Sequence, residues 1–492
     1  MSEQVEELNN GVSETDAPAD AQETAAQAAA SAESAPSTAP ATAQLDSKKS
    51  IDMSAHFSKR QLIKYSLPSI ATMVFTSIYG IVDGFFVSNF AGETAFAAVN
   101  FIMPFIMILS SAGFMVGTGG SAIIATTHGE GDLPRANKYF GMLIVFTFVI
   151  GLIFAVVGFV FSRPLAQALG ATGDMLSISE LYARISMISL PFYMLQYLFQ
   201  AFFNTAGKPK IGFRVTVIAG CLNIVLDALL VGVLGYGVAG AAAATVCSEI
   251  VGGVVPVIYF ARKNPTPYRL RLHWPNATII AKTCINGSSE MVTNIAMSIV
   301  AMVYNVQLLR FIGENGVAAY GVLMYVGMIF GAVFMGYVVA VAPLMSFQNG
   351  AQNNTEKRSL LKKSLLIIAG FSVLMLVAGE ALANPFSYLF TSYNPELCEL
   401  TMSAFHVYSL SFLFMGISIY GSSFFTSLEN GLVSAIISFV RTFVFELGAV
   451  LIIPEVFGAE YIWFSFLVAE LAAAILSASL MAALSRKYGF RD

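Results

Sequence analysis

After about residue 60 the chain alternates between long apolar runs and short polar or basic breaks. A hydrocarbon core of about 30 Å takes about 20 apolar residues in helical form. Runs of that length or more lie at roughly 62–88, 96–127, 139–161, 178–204, 212–234 and 238–260, and again at 280–312, 318–347, 361–383, 401–427, 433–453 and 459–484. The pattern predicts twelve transmembrane helices. Backbone groups in lipid must be satisfied internally, and runs this long favour helices over the shorter strands of a barrel.

The runs fall into two related sets. A shift of 221 residues lays "FAGETAFAA" (90–98) on "FIGENGVAA" (311–319), and pairs Gly129 with Gly350 and Glu249 with Glu470. Six crossings return the chain to its starting side, so the copies share one orientation. They predict two six-helix bundles related by an axis along the membrane normal, with a central cleft between them. The fold class is therefore an all-α integral membrane protein of two pseudo-symmetric bundles. The expected divisions are an N-lobe at 59–261, a basic, proline-containing linker at 262–279, a C-lobe at 280–485 and a short tail at 486–492.

Composition sharpens this picture. Of 492 residues, 56% are hydrophobic and 11% charged, against about 25% charged in soluble domains. The net charge of −4 misleads, because residues 1–50 hold nine acids against Lys48 and Lys49, which leaves the remainder at +3. This stretch is rich in Ala, Ser, Thr, Pro and acid and lacks aromatics ("ETAAQAAASAESAPSTAPATAQ"). Such a composition cannot bury enough apolar surface to fold, so 1–58 reads as a disordered tail, and it lacks the basic start and apolar core of a signal peptide. With the N-terminus inside, 22 of the 26 Lys and Arg fall in cytoplasmic segments. That bias predicts that both termini are cytoplasmic.

Against this apolar background the acids within the spans stand out. Asp83 is the only charged residue between Ile70 and Phe90, and a charge at mid-bilayer costs about 2.5–3.5 kcal/mol on insertion scales. Span five carries Asn223 and Asp227 four residues apart, hence on one face; span six carries Thr245 and Glu249 at the same spacing. Asn286, Glu290 and Asn294 form a stripe at the start of span seven, and Glu446 and Glu470 sit in spans eleven and twelve. A buried carboxylate without a cationic partner takes up a proton or binds a cation, and Asp, Asn and Thr oxygens suit a hard ion. Asp83 and Asp227 are thus candidates for coupling to an ion gradient. Glu249 and Glu470, placed alike in both halves, read as structural, and Arg441 as an interfacial or structural charge.

Other chemistries find little support. Cys221, Cys247, Cys284 and Cys398 form no CxxC pair and read as small core residues; His406, inside span ten, reads as a core histidine. No phosphate loop, HExxH or GxSxG occurs, so neither ATP-driven transport nor an enzyme is indicated. No basic amphipathic surface for nucleic acid is present. Membrane lipids are the expected surroundings, and no cofactor is expected beyond H⁺ or Na⁺ as an exchangeable ion.

"DGFFVSNFAGETAFAAVN" (83–100), "QAFFNTAGKPK" (200–210) and "GVLGYGVAGAAAAT" (232–245) resemble the multidrug and toxic compound extrusion (MATE) transporters, with the flavour of the MepA-like bacterial branch. The likeness runs from about Gln61 to the last span. It implies a V-shaped pair of bundles in a bacterial inner membrane that works as a monomer and exports small amphipathic, often cationic drugs in exchange for H⁺ or Na⁺. It implies a cation site of Asp83, Asn223, Asp227 and Thr245, a secondary coupling or substrate role for Glu290, Gln200 and Asn204, and a bend of the first helix about Pro68. Some members carry a further acid in span ten; residues 401–427 contain none, which favours the N-lobe site. The alternative within the broader superfamily is a flippase for lipid-linked oligosaccharides, which would need a cationic cavity where this chain places acids.

Overall fold

A computed structural model describes residues 51–168 and 170–490, and among them the chain is helical without strands. Residues 1–50, expected to be a disordered tail, lie outside the described residues. The first six spans are α1 (Lys59–Phe86), α2 (Glu93–Gly129), α3 (Leu133–Ala168), α4 (Gly173–Thr205), α5 (Pro209–Asp227) and α6 (Gly237–Ala261). The second six begin with α7 (Ala277–Phe311), α8 (Glu314–Gly350) and α9 (Asn354–Thr391). The tenth is α10 (Pro395–Leu410) with α11 (Phe412–Ser427), the eleventh α12 (Gly431–Phe439) with α13 (Leu447–Phe457), and the twelfth α14 (Phe464–Ala483). Eleven helices are long and apolar enough to cross a membrane, and the α10–α11 pair, bent by 46°, makes up to twelve. At that bend Ser411 Oγ donates to the carbonyl of Tyr408 at 2.6 Å, the kind of side-chain intrusion that breaks a helix.

Local chemistry sets the helix starts. Ser58 and Gln61 form a reciprocal capping box at α1, and Asn276, Asn353, Asn394 and Asn430 accept from the first free amides of α7, α9, α10 and α12. Gly92 and Gly313, equivalent under the 221-residue shift, turn the chain from first to second span of each half at φ 95° and 91°. A side chain would be strained in that region. The outer surface is apolar. Leu152, Ile153, Val156, Val157 and Val160 of α3 are all exposed, as lipid-facing residues are.

Within the first half α4 packs on α2, α3 and α6; across the halves α2 packs on α7 and α8, and α1 on α8. The seam is made of glycines. A Cβ on Gly129 would overlap the carbonyl of Phe347, and one on Gly350 the carbonyl of Thr126, so the two positions mirror one another. Gly119 likewise abuts Thr283 and Gly287, and Gly336 abuts Ile70. Such close backbone approach replaces the hydrophobic drive that lipid cannot supply between helices. These contacts all lie in the half of the molecule nearer the basic end, where α1 and α7 begin and α2 and α8 finish.

Several expectations need correction at the surface. Residues 51–58, given by composition to the tail, are packed: Met53, Ala55 and Phe57 are buried. The linker is pinned along α3, where Arg269 N donates to Asn137 Oδ1 (2.7 Å) and Tyr268 stacks on Phe140; α7 begins at Ala277, inside its expected span. The end of the chain is also held, with Lys357 donating to the carbonyl of Tyr488 (3.0 Å) and Arg358 to that of Gly489 (2.9 Å). Cys221 and Cys247 are exposed rather than in the core. His406 is exposed and pairs with Glu380 at 2.6 Å. The reversals at Cys221, Cys247 and His406 share one cause: in an apolar environment the outward helix faces are as hydrophobic as the inward ones, so hydropathy alone cannot tell them apart.

Candidate functional site

The first half gathers four of the sequence candidates. Asp83 projects from the last turn of α1, and the side chains that face its carboxyl group are Asp227 and Asn223 of α5 and Thr245 of α6. Asp227 and Asn223 are fully enclosed, at 0% and 1% exposure. No well-formed protein hydrogen bond satisfies Asp83 Oδ1, Asn223 Oδ1 or either carboxylate oxygen of Asp227. Buried oxygens left open in this way are costly unless something outside the protein completes them. Oxygen atoms from two acids, an amide and a hydroxyl form a cage suited to a proton or a hard monovalent cation.

The local backbone is as unusual as the side chains. A π-helical turn, Val87–Ala91, follows Asp83 by four residues, and another, Ala228–Val233, begins directly after Asp227. The third π segment, Val440–Glu446, contains Arg441 and ends on Glu446. Wider turns of this kind loosen the hydrogen-bond ladder and cluster at functional positions.

Around this pair lies a wider polar layer. Glu249 of α6, 8% exposed, interacts electrostatically with Asp83 and accepts a 2.5 Å hydrogen bond from Ser189 Oγ. Tyr79, one turn before Asp83, faces Gln196 and lies within electrostatic range of Glu249 and Asp83, and Tyr193 and Tyr197 share a 2.9 Å hydrogen bond. Glu249 therefore has a local duty in the first half. The signal for its neighbours was present: Ser186, Ser189, Tyr193, Gln196, Gln200 and Asn204 recur at alternating or repeated three- and four-residue steps, one polar stripe along α4.

The remaining N-lobe candidates sit elsewhere. Gln200 Oε1 is buried and unpartnered beside a cavity of about 20 Å³ lined by Ser69, Gln196 and Asn204 among others, room for a single water. Asn204 is used up structurally: its Oδ1 accepts from Ser69 (2.6 Å), its Nδ2 donates to the Gln200 carbonyl (2.8 Å), and its own carbonyl accepts from Tyr65 (2.8 Å). It ties α4 to α1. Pro68 lies inside the continuous helix α1, its carbonyl accepting from Thr72 Oγ1 at 2.8 Å.

The second half is built differently. Under the 221-residue shift Tyr304 stands where Asp83 does, and no aspartate pair forms. Instead Arg441 donates from Nε (3.0 Å) and Nη2 (2.6 Å) to Glu470 Oε1, with Glu446 and Glu290 within electrostatic range of the same guanidinium. Arg441 is thus an internal counter-charge rather than an interfacial one, and Glu470 differs from Glu249 in its partner. Along the Glu290 stripe, Asn286 donates to the Thr426 carbonyl and Asn294 to that of Glu290. Among the described residues no three His, Cys, Asp or Glu side chains converge as a metal-ion site.

Comparison with known proteins agrees with this architecture. A solved MOP superfamily transporter from Pyrococcus furiosus, described as having a binding pocket of reverse polarity that suggests a different function, superposes with a TM-score of 0.82 at 22% identity, over 87% of this chain and 96% of that one. An outward-facing multidrug resistance MATE family transporter gives 0.79 at 23% identity, over 87% and 97%. The multidrug export protein MepA of Staphylococcus haemolyticus is 26% identical over 423 residues, 85% of this chain and 92% of the relative. The MatE family model matches residues 68–229 and 291–450, one segment in each half. With both halves matched, the chain belongs to the MatE family.

Proposed function

We propose that the protein is a multidrug efflux transporter that exports amphipathic, often cationic compounds by antiport with H⁺ or Na⁺, alternating access between the two faces of a bacterial inner membrane. The observation that carries the reading is the Asp83–Asp227 pair, in which Asp83 Oδ1 and both carboxylate oxygens of Asp227 are buried without a protein partner. Two ionised carboxylates side by side repel, so a proton or cation between them is favoured, and its arrival changes which packing of α1 against α5 and α6 is stable. A ligand shifts such an equilibrium only by binding one state more tightly, so ion and drug compete through the conformational change even when they touch different residues. The π turns beside Asp83 and Asp227 give α1 and α5 a place to repack.

Orientation follows from the basic residues: with both termini cytoplasmic, the glycine seam closes the cytoplasmic side, as in an outward-facing state. Glu290, within electrostatic range of Arg441, is a secondary coupling group in this reading, and Gln200 a polar contact on the N-lobe wall. The flippase alternative is opposed by the interior itself, where Asp83, Asp227, Glu249, Glu290, Glu446 and Glu470 outnumber Arg441. The test is efflux of ethidium from proteoliposomes holding the purified protein, under an imposed pH or Na⁺ gradient. Gradient-driven efflux supports antiport; efflux indifferent to both gradients overturns it.

A further inference from the structure

Residues 51–58 cross the seam between the halves twice. At one end Ser58 caps α1 of the first half. The chain then runs over the second half, where His56 Nδ1 meets Glu356 Oε2 at 2.6 Å and Lys363 Nζ meets His56 Nε2 at 3.1 Å. Lys363 also donates to the Phe57 carbonyl (2.5 Å), and Gln348 of α8 to the Met53 carbonyl (2.9 Å). At Ile51 the chain is back on the first half, donating to the carbonyl of Gly207 at 3.3 Å.

The hydrogen-bond chemistry of this clasp is directional. An ammonium group only donates, so His56 Nε2 accepts from Lys363, and the imidazole proton sits on Nδ1 and donates to Glu356. Glu356 and Lys363 are both on α9 and grip the same ring from either side. Ile51–Ser54 line an open pocket of about 570 Å³ together with His128 of α2 and Phe347 of α8, residues on opposite sides of the seam. The segment therefore bridges the line along which α2 and α8 would part, bonded to α8 at Met53 and to α9 at His56 and Phe57.

We propose that this segment is a gate clasp: His56, Glu356 and Lys363 are positioning residues that hold the basic end of the molecule shut and release it for the opposite-facing state. The clasp rests on the alternating-access reading only in requiring that the seam open. The test needs no substrate. In a cysteine-free background, Ser346→Cys puts a thiol at a fully buried seam position, whose carbonyl accepts from Thr126. Its labelling by an impermeant maleimide, added to the face that carries the termini, reports opening.

Glu356→Gln and Lys363→Met are each expected to speed labelling on the order of tenfold or more, the population shift that follows loss of a charge-assisted hydrogen bond. Lys363→Arg, which keeps a donor, is expected to restore slow labelling. Because a variant that merely loosened the fold would also label, each is checked at Ser418→Cys, buried inside the second half, which should stay unlabelled. Slow labelling of Ser346→Cys in both variants, or fast labelling at both sites, overturns the clasp. Gly350→Leu, which must push α2 and α8 apart, separates the two ideas: slow labelling there as well means that seam opening itself has failed.

Discussion

Arg441 places Nε and Nη2 on one oxygen of Glu470, Oε1, and leaves Oε2 of that buried carboxylate unpartnered. Breaking a buried pair by removing one charge costs about 3–5 kcal/mol when the other is stranded. Here Glu290 and Glu446 also lie within electrostatic range of Arg441, so Glu470→Gln is expected to cost less, about 1–3 kcal/mol. Thermal unfolding of the purified variant measures this. Coupled efflux should persist, since the pair lies outside the Asp83 site.

Asp83→Asn mimics a permanently protonated carboxyl group at nearly constant shape. The variant is expected to insert normally and to bind ethidium, yet to lose gradient-driven efflux down to the level of protein-free liposomes. Asp227→Asn should behave alike. Wild-type coupled efflux in Asp83→Asn would make Asp83 a structural residue.

At the seam, Gly129→Val sets a branched side chain against the Phe347 carbonyl. Forcing volume into so close a contact costs about 1–3 kcal/mol. A lower melting temperature together with slower efflux is expected; a variant that melts and transports like wild type would show that the helices do not need this approach.

Topology is open to chemical labelling between α5 and α6. Gly235 holds φ +68°, which disfavours a cysteine there, but the neighbouring Tyr236 is 61% exposed. Tyr236→Cys should react with an impermeant maleimide from outside intact cells. Reaction only after permeabilisation would invert the orientation.

Removing residues 1–50 is expected to leave efflux per inserted molecule unchanged, because no residue of the candidate site lies among them. Phe57→Ala should instead lower the melting temperature, by an amount matching about 3–5 kcal/mol for emptying a buried phenylalanine site. Equal effects from the two changes would place the functional boundary elsewhere.

The grouping of Asp83 and Asp227 with Asn223 and Thr245 came from the family resemblance, whereas membrane class, helix number, the internal repeat and the two acids themselves were readable from the residues. Each depends on local quantities: run length against bilayer thickness, and the cost of an acid in lipid, which makes every such residue conspicuous. The partners of those residues were not readable, because they come from other helices. Whether Glu470 faces Arg441 or Glu249 faces Ser189 depends on how the spans rotate about their axes, and outward and inward faces are equally apolar in a bilayer. For the same reason Cys221 and His406 read as core while lying at the surface. The clasp was hidden more deeply. Residues 51–58 have no periodicity and follow an acidic stretch, and only the closed seam gives Met53 and Phe57 a surface to bury and His56 two partners on one helix.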